Sequence, residues 1–301
     1  MTTIGFIGLG IMGSPMATNL LSAGFDVIGF DVQPVSLERL AADGGQPADS
    51  IAQATVDADV VITMLPNFPQ VEEVAFGAGG VLDSAKPGLL YIDMSSIRPQ
   101  TSRRIAGEGA EKGLRVLDAP VSGGEKGAID GVLSIMVGGA EESFAAAAPV
   151  FAPLGKTVVH VGPAGAGQTV KAANQLVVGG TYALVAEAIV LLEASGVDAG
   201  LGLDVLAGGL AGSRILELKR KSMVAREFAP GFRIDLHHKD MGIVLDAARE
   251  ADVALPVGGL VAQLIAAARA QGYGSLDHSA LLKVADGIAG ANTAGKRRLT
   301  R

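Results

Sequence analysis

The sequence contains no cysteine among its 301 residues. Disulfide bonds, thiolate nucleophiles, iron–sulfur clusters and cysteine-based zinc sites are therefore all excluded. A chain without cysteine is compatible with a reducing compartment, and we expect the protein to be cytoplasmic. The first seven residues contain no basic segment and no small-residue cleavage site. They predict a strand rather than a secretory signal.

Positive charge is also scarce. The chain has 24 lysines and arginines against 31 aspartates and glutamates, for a net charge of −7. Four of the basic residues (Lys296, Arg297, Arg298 and Arg301) crowd into the tail, which we predict to be a frayed end, so the rest of the chain is still more acidic. Nucleic-acid binding requires a basic stripe, so we expect no nucleic-acid partner.

Charged residues make up only 18% of the chain and hydrophobic ones 49%, which excludes a disordered protein. The length predicts two domains. The stretch 176–192 is almost uncharged, but Glu187 interrupts it. We interpret this stretch as a buried central helix rather than a membrane span, and we expect no membrane partner.

The pattern of the sequence changes near Gly162. Before this point short apolar runs alternate with amphipathic segments, which predicts βαβ units on a mainly parallel sheet. The predicted strands are 3–8, 26–31, 60–65, 89–94, 115–119, 133–137 and 157–161. Beyond Gly165 the apolar residues follow the helical period and predict helices over 170–195, 198–208, 213–223, 235–251, 256–271 and 279–288. We therefore predict a doubly wound α/β domain over residues 1–163 and an all-helical domain over 164–301.

A glycine-rich motif, Gly8-Leu9-Gly10-Ile11-Met12-Gly13, directly follows the first predicted strand. In this context Gly8 permits a tight turn, Gly10 lets a pyrophosphate approach the backbone, and Gly13 lets the helix pack on the strand. The next strand ends at Asp31, whose carboxylate can bond the adenosine ribose hydroxyls. Because this charge repels a 2′-phosphate and no arginine follows at 32–34, the sequence favours NAD over NADP. A plain glycine turn in a packed domain is the alternative.

A dinucleotide site raises the question of which group moves a proton. The Tyr-x-x-x-Lys pair of short-chain dehydrogenases is absent, because residues four positions after the three tyrosines are Ser95, Ala186 and Asp277. The four histidines form no convincing pair with a carboxylate. His237 and His238 are a poor metal pair, since adjacent residues on a helix face different ways. No metal site is expected.

Lysine is a better candidate for this proton transfer. Lys171, Asn174 and Gln175 follow the turn Gly165-Ala166-Gly167, and their i, i+3 and i+4 spacing places them on one helix face. A lysine at the start of an apolar helix can be desolvated enough to act as an acid or a base. Ligand sites commonly lie where domains meet, which favours catalysis over a structural lysine.

A third motif, Asp118-Ala119-Pro120-Val121-Ser122-Gly123-Gly124, follows a predicted strand. Its consecutive backbone N–H groups and serine hydroxyl can form an anion nest that suits a carboxylate. A simple strand-to-turn transition explains the same residues equally well.

Taken together, the three motifs resemble the β-hydroxyacid dehydrogenases. The resemblance covers residues 3–290, and the motifs occur in the order typical of that family. It implies a Rossmann-type domain followed by a helical substrate domain, and hydride transfer between a nicotinamide and a small β-hydroxyacid or semialdehyde. Three further segments, 208–213, 230–240 and 277–281, resemble the family members that reduce tartronate semialdehyde to D-glycerate.

The resemblance also implies roles for individual residues. Lys171 is expected to be the catalytic acid and base, and Asn174 is expected to orient the substrate. The substrate is expected to bind Ser122, Gly123, Gly124, Gln175 and Asp240. The cofactor is expected to contact Gly8, Gly10, Ile11, Met12, Gly13, Asp31, Met64, Leu65, Pro66, Ser95, Ser96 and Lys239.

Two alternatives remain at this point. One is the same chemistry on another short acid, such as 3-hydroxyisobutyrate or succinic semialdehyde. The other is a non-catalytic dinucleotide sensor, against which the presence of Lys171 argues. The helix over 176–192 has more apolar surface than a small helical domain readily buries, so we also predict a homodimer or homotetramer built through this domain.

Overall fold

The computed structural model describes residues 2–290, so the basic tail lies outside the described residues. The chain forms two compact units, Met1–Lys171 and Ala172–Arg301. The predicted combination of a doubly wound α/β domain and a helical domain is confirmed. The division falls after Lys171, eight residues beyond the predicted boundary at 163, because Gln168 in the first turn of the long helix bonds to Asp118 and Ser95.

Within residues 2–290 one sheet contains nine strands. They are β1 (Thr3–Ile7), β2 (Asp26–Phe30), β3 (Gln46–Pro47), β4 (Val60–Thr63), β5 (Leu90–Asp93), β6 (Arg115–Asp118), β7 (Val121–Ser122), β8 (Leu133–Gly139) and β9 (Gly155–Gly162). Their order is β3-β2-β1-β4-β5-β6-β8-β7, and β9 also pairs with β8. Strands β1 to β6 run parallel, whereas β8 is antiparallel to β6 and β7. The strand order reverses between β1 and β4, which is where doubly wound sheets bind ligands.

The helices of the first unit cover both faces of this sheet. They are α1 (Gly13–Ser22), α2 (Pro34–Ala42), α3 (Ile51–Val56), α4 (Phe68–Phe76), α5 (Val81–Ser84), α6 (Pro99–Glu111), α7 (Gly124–Ile129) and α8 (Glu141–Phe151). Alternate residues of the central strands enter two separate cores, with Ile4 and Phe6 on one face and Ile7 and Val61 on the other. Burial on both faces explains why these strands are continuous apolar runs.

The second unit is built around the long helix α9 (Ala166–Ala194), which begins in the first unit. The other helices are α10 (Ala199–Gly208), α11 (Arg214–Val224), α12 (Ile234–Glu250), α13 (Pro256–Ala268) and α14 (Leu281–Ile288). Two of them begin at capping residues, since the side chains of Asp198 and Ser213 accept N–H bonds from Leu201 and Leu216.

The helix α9 is buried on one side only. By length and composition it could cross a membrane. Of its most apolar stretch of 18 residues, 39% is buried within the protein. Val177, Leu184 and Leu191 remain 66%, 68% and 68% exposed. The prediction of a buried central helix is therefore correct for one face of α9 and wrong for the other.

Candidate active site

The predicted cofactor residues follow strand ends that lie side by side. The parallel register pairs Ile7 with Thr63, Thr63 with Asp93, and Asp93 with Asp118. The segments after β1, β4, β5 and β6 therefore leave from the same edge of the sheet. This edge brings together four stretches that the sequence analysis selected separately.

The glycine-rich loop has the shape that its motif predicts. Gly8 has a φ of +96°, and a Cβ there would collide with the carbonyl oxygen of Met64. A Cβ at Gly13 would collide with the carbonyl oxygen of Gly8. At Gly10, by contrast, a Cβ would meet nothing within 4 Å. The first and third glycines thus allow tight packing, while the second leaves the open space that a pyrophosphate needs.

The N-terminus of α1 also suits a phosphate group. Its N-cap residue is Met12, which makes no side-chain hydrogen bond to the helix. A helix start without a capping side chain leaves N–H groups for an anion, and the helix dipole favours negative charge there. These residues fit a dinucleotide phosphate.

Asp31 follows β2 and braces the glycine-rich loop. One carboxylate oxygen accepts the N–H of Leu9 at 2.7 Å, and the other accepts the N–H of Gln33 at 2.8 Å. Its neighbour Val32 is 80% exposed. Asp31 therefore has two roles in the proposed site. Its carboxylate would bind the ribose, and it also fixes the loop that would bind the phosphates.

The segments after β4 and β5 are joined by a side chain. The Ser95 hydroxyl accepts the N–H of Leu65 at 2.9 Å, and the adjacent Asp93 carboxylate accepts the Thr63 hydroxyl at 2.7 Å. Burial raises the pKa of Asp93 to about 6, although bonds from Ser95 and Thr63 lower it. The predicted residues Met64, Leu65, Pro66, Ser95 and Ser96 thus lie in two linked loops.

The start of α9 is bound to this edge by two residues that the sequence analysis did not assign. The Asp118 carboxylate accepts the N–H of Gly165 at 2.7 Å and that of Gln168 at 2.9 Å. The Gln168 side-chain amide donates to the Ser95 carbonyl at 2.8 Å and accepts the N–H of Ile97 at 3.0 Å. Burial raises the pKa of Asp118 to about 6, although the N–H bonds from Gly165 and Gln168 lower it.

Lys171 lies one helical turn after Gln168. It is only 7% exposed and is the last residue of the first unit. Such burial separates it from the exposed lysines of the protein, such as Lys86 and Lys126.

The predicted carboxylate-binding segment lies at the junction of β7 and α7, where Gly123 and Gly124 both have positive φ values, of 145° and 64°. This turn fits an anion nest and a simple strand-to-turn transition equally well.

The remaining predicted residues lie in the second unit and form one hydrogen-bonded chain. The Asn174 amide donates to the Gln175 side-chain oxygen at 2.8 Å, and the Gln175 amide donates to Asp240 at 2.5 Å. Asp240 also pairs with Lys239 at 2.9 Å. The carboxylate of Asp240 accepts only, so it sets the direction of both amides and aims the Asn174 N–H at Gln175.

Two histidines of the second unit, His237 and His278, support this chain. His237 is fully buried, with one ring nitrogen 3.1 Å from the Gln175 carbonyl and the other 3.1 Å from a ring nitrogen of His278. His237 therefore joins α12 to α9. No group of three or more metal-ligating side chains occurs in the part of the chain that the structure describes. The contacts of His237 could not be predicted from local sequence, because His278 and Gln175 are 41 and 62 residues away from it.

Two family models match consecutive parts of the chain. Residues 3–162 match the NAD-binding domain of 6-phosphogluconate dehydrogenase. Residues 165–285 match the family described as NAD-binding of NADP-dependent 3-hydroxyisobutyrate dehydrogenase. The two matches meet in the turn that precedes α9.

Curated relatives match over nearly their whole length. The chain is 43% identical to 2-hydroxy-3-oxopropionate reductase of Escherichia coli, with 93% of this chain and 96% of the relative covered. It is 41% identical to 2-(hydroxymethyl)glutarate dehydrogenase of Eubacterium barkeri, with 97% of each covered. A solved structure of Mycobacterium tuberculosis 3-hydroxyisobutyrate dehydrogenase with L-serine has a TM-score of 0.87 at 38% identity, covering 94% of this chain and 99% of that one.

Proposed function

The chain belongs to the β-hydroxyacid dehydrogenase family of oxidoreductases, and we propose that it reduces tartronate semialdehyde to D-glycerate with NADH. The observation that carries the reaction type is a buried lysine, Lys171, in a helix whose first turn is bound to the edge where the dinucleotide loop begins. The choice of substrate is supported by the segments 208–213, 230–240 and 277–281. The choice of cofactor rests on Asp31.

Bound NADH would supply the hydride that reduces the aldehyde carbon. The glycine-rich loop fits its pyrophosphate, and Asp31 fits its adenosine ribose. In reduction, the Lys171 ammonium donates a proton to the oxygen that becomes the new hydroxyl. In oxidation, neutral Lys171 takes that proton back.

Other residues orient the substrate in this proposal. Asn174 holds the carbonyl in line with Lys171, and the backbone N–H groups around Ser122, Gly123 and Gly124 bind the carboxylate. Gln175 and Asp240 act in this proposal by holding the Asn174 amide in one orientation. The absence of cysteine supports a cytoplasmic location, where such an enzyme would use the NADH pool.

A panel of small acids and aldehydes tests the proposal. We expect tartronate semialdehyde to give the highest kcat/KM with NADH, by tenfold or more over methylmalonate semialdehyde and succinic semialdehyde. The reverse panel is glycerate, 3-hydroxyisobutyrate, L-serine and 2-(hydroxymethyl)glutarate with NAD. A branched or longer substrate that is ten times better would overturn the substrate and leave the reaction type standing. NADH binding without turnover of any of these compounds would instead favour a sensor.

We also propose that the enzyme is a homodimer or homotetramer through the helical unit. Val177, Leu184 and Leu191 are seven residues apart, so they form one exposed apolar stripe along α9. Stripes of this kind on a helix commonly mark a protein interface. A second copy of the chain would cover the stripe.

Light scattering tests the assembly. We expect a mass at least twice the 30.4 kDa of one chain at micromolar concentration, and a smaller mass for Leu184→Glu, which places a charge in the stripe. Val56→Glu, at a 42% exposed position in the first unit, is the matched control and should leave the mass unchanged. A monomeric wild-type protein would refute the proposal.

A further inference from the structure

We propose that Gln168 is a positioning residue that sets the place of Lys171 relative to the loops after β4 and β5. This inference rests on the proposed function, in which Lys171 transfers the proton and those loops meet the nicotinamide. Gln168 would touch neither substrate nor cofactor. It would act through the helix that carries Lys171.

The side chain of Gln168 is 1% exposed and uses both ends of its amide. Its nitrogen donates to the Ser95 carbonyl at 2.8 Å, and its oxygen accepts the N–H of Ile97 at 3.0 Å. The two partners are backbone groups of one loop, two residues apart. Only a group with a donor and an acceptor side by side satisfies both, so a glutamine amide fits and a carboxylate does not.

Gln168 also joins α9 to two strand-end segments directly and to a third through Ser95. Its backbone N–H bonds to Asp118 at the end of β6, and its side chain bonds to the loop after β5. The hydroxyl of Ser95 in that loop accepts the N–H of Leu65 after β4. The chain of contacts thus runs from the loop after β4 to the first turn of α9 without leaving the first unit.

Lys171 follows Gln168 by three residues, which is about 4.5 Å along the helix axis and nearly the same face. A shift of the helix start therefore moves Lys171 by a similar amount. Proton transfer is sensitive to such shifts, since a misplacement of about 1 Å can cost on the order of a hundredfold in rate. In the proposed site most of the cofactor affinity comes from the glycine-rich loop and Asp31, which hold the pyrophosphate and the adenosine ribose.

Two variants of Gln168 separate positioning from stability. Gln168→Met keeps the length and loses both bonds. Gln168→Glu keeps the acceptor for Ile97 and loses the donor to Ser95. A matched control is Val81→Ala, which removes buried methyl groups from the core of the first unit and leaves the Gln168 amide with both of its partners. All rates are measured well below the melting temperature of each protein.

For Gln168→Met we expect kcat to fall by about tenfold or more, with the primary deuterium isotope effect increased and the Kd for NADH changed by less than about threefold. The control should lower Tm while kcat and the isotope effect stay within about twofold. Hydrogen exchange of the protein without cofactor supplies a readout that needs no activity. Residues 95–97 and 165–171 should exchange faster in Gln168→Met, whereas other strand-end segments should not.

Gln168→Glu adds a test by protonation. A protonated carboxyl has a donor and an acceptor, so it can restore both bonds. We therefore expect the ratio of variant to wild-type kcat to rise as the pH falls from 8 to 6. The charged residues on the elements around this position are Asp93, Asp118, Arg98, Arg103 and Lys171, and they are the same in both proteins, so the ratio removes their common contribution.

Several results would overturn the inference. An active wild-type enzyme with unchanged kcat in folded Gln168→Met refutes positioning and leaves the proposed function intact. A loss explained by the Kd for NADH, an equal loss in Val81→Ala, or unchanged exchange at residues 95–97 would refute it as well. If Gln168→Met does not fold, the pH dependence of Gln168→Glu decides, and a flat ratio overturns the inference. A wild-type protein that turns over none of the panel refutes the proposed function itself. The exchange data then test separately whether Gln168 fixes residues 95–97 and the start of α9.

Discussion

Replacing Lys171 with alanine should lower kcat by at least about a thousandfold, or about 4 kcal/mol in activation free energy. The substitution removes the proton donor, and acid–base catalysis typically contributes about 10²–10⁴-fold. It also removes a positive charge that stabilises the developing alkoxide in a buried position, since Lys171 is 7% exposed. The Kd for NADH should change by less than about threefold, because the glycine-rich loop is unaltered.

Three further variants give this experiment its controls. Lys86→Ala removes a lysine whose side chain is 65% exposed and should leave kcat unchanged. Lys171→Arg keeps the charge but cannot release a proton near neutral pH, so it should remain strongly impaired. Asn174→Ala should cost less than Lys171→Ala, because Asn174 orients the substrate and transfers nothing. If Lys171→Ala keeps a tenth of the wild-type kcat with chemistry still rate-limiting, another group donates the proton and the mechanism is wrong.

The wild-type enzyme should prefer NADH to NADPH by tenfold or more in kcat/KM. Hydrogen bonds from the ribose hydroxyls to the Asp31 carboxylate contribute about 1.5–3 kcal/mol each, and a 2′-phosphate would meet charge repulsion there. The double substitution Asp31→Ser with Val32→Arg removes that repulsion and adds a cation at an 80% exposed position. We expect it to shift the ratio toward NADPH by on the order of a hundredfold, or about 2.7 kcal/mol.

The ratio of the two cofactors is the right measure, because Asp31 also holds the N–H of Leu9 at 2.7 Å. Losing that bond weakens the loop for both cofactors and lowers both activities together. Arg104→Ala is the matched control, since this arginine lies in α6 and pairs with Glu108 at 2.7 Å, and its loss should leave the ratio within about twofold. A wild-type enzyme with higher kcat/KM for NADPH would contradict the assignment of Asp31.

Local patterns were enough to predict most of the fold. All seven predicted strands are present, and the central strands β1, β4 and β5 are the continuous apolar runs that burial on both faces requires. The two strands that were missed, β3 and β7, have two residues each and therefore carry no periodicity. The helices α3, α5 and α7 have only four to six residues each, so they carry no helical period either. The predicted helix over 256–271 is present, as the α-helix Pro256–Ala268 followed by a π-helical turn over Arg269–Tyr273, in which Gly272 adopts a φ of +84°.

Part of the candidate site was equally visible in the sequence. The glycine-rich loop and Asp31 were found because the motif and the strand end lie within one βαβ unit. The environment of Lys171 was not, since Gln168 is 71 residues from Ile97 and 73 from Ser95. Asp118 belongs to a recognised motif, yet its function as the anchor of α9 depends on a bond to Gly165, 47 residues later.

The sequence by itself therefore determined the succession of the longer strands and helices along the chain, the dinucleotide loop, and the lysine at the start of α9. These features depend on period, turn chemistry and spacing, which are local properties of the chain. Only the tertiary structure decided which side chains hold that lysine in place, which face of α9 stays exposed, and how Asp240 orients the Asn174 amide through Gln175. Such contacts join residues tens of positions apart, and they exist only after packing has brought the strand ends and helices together.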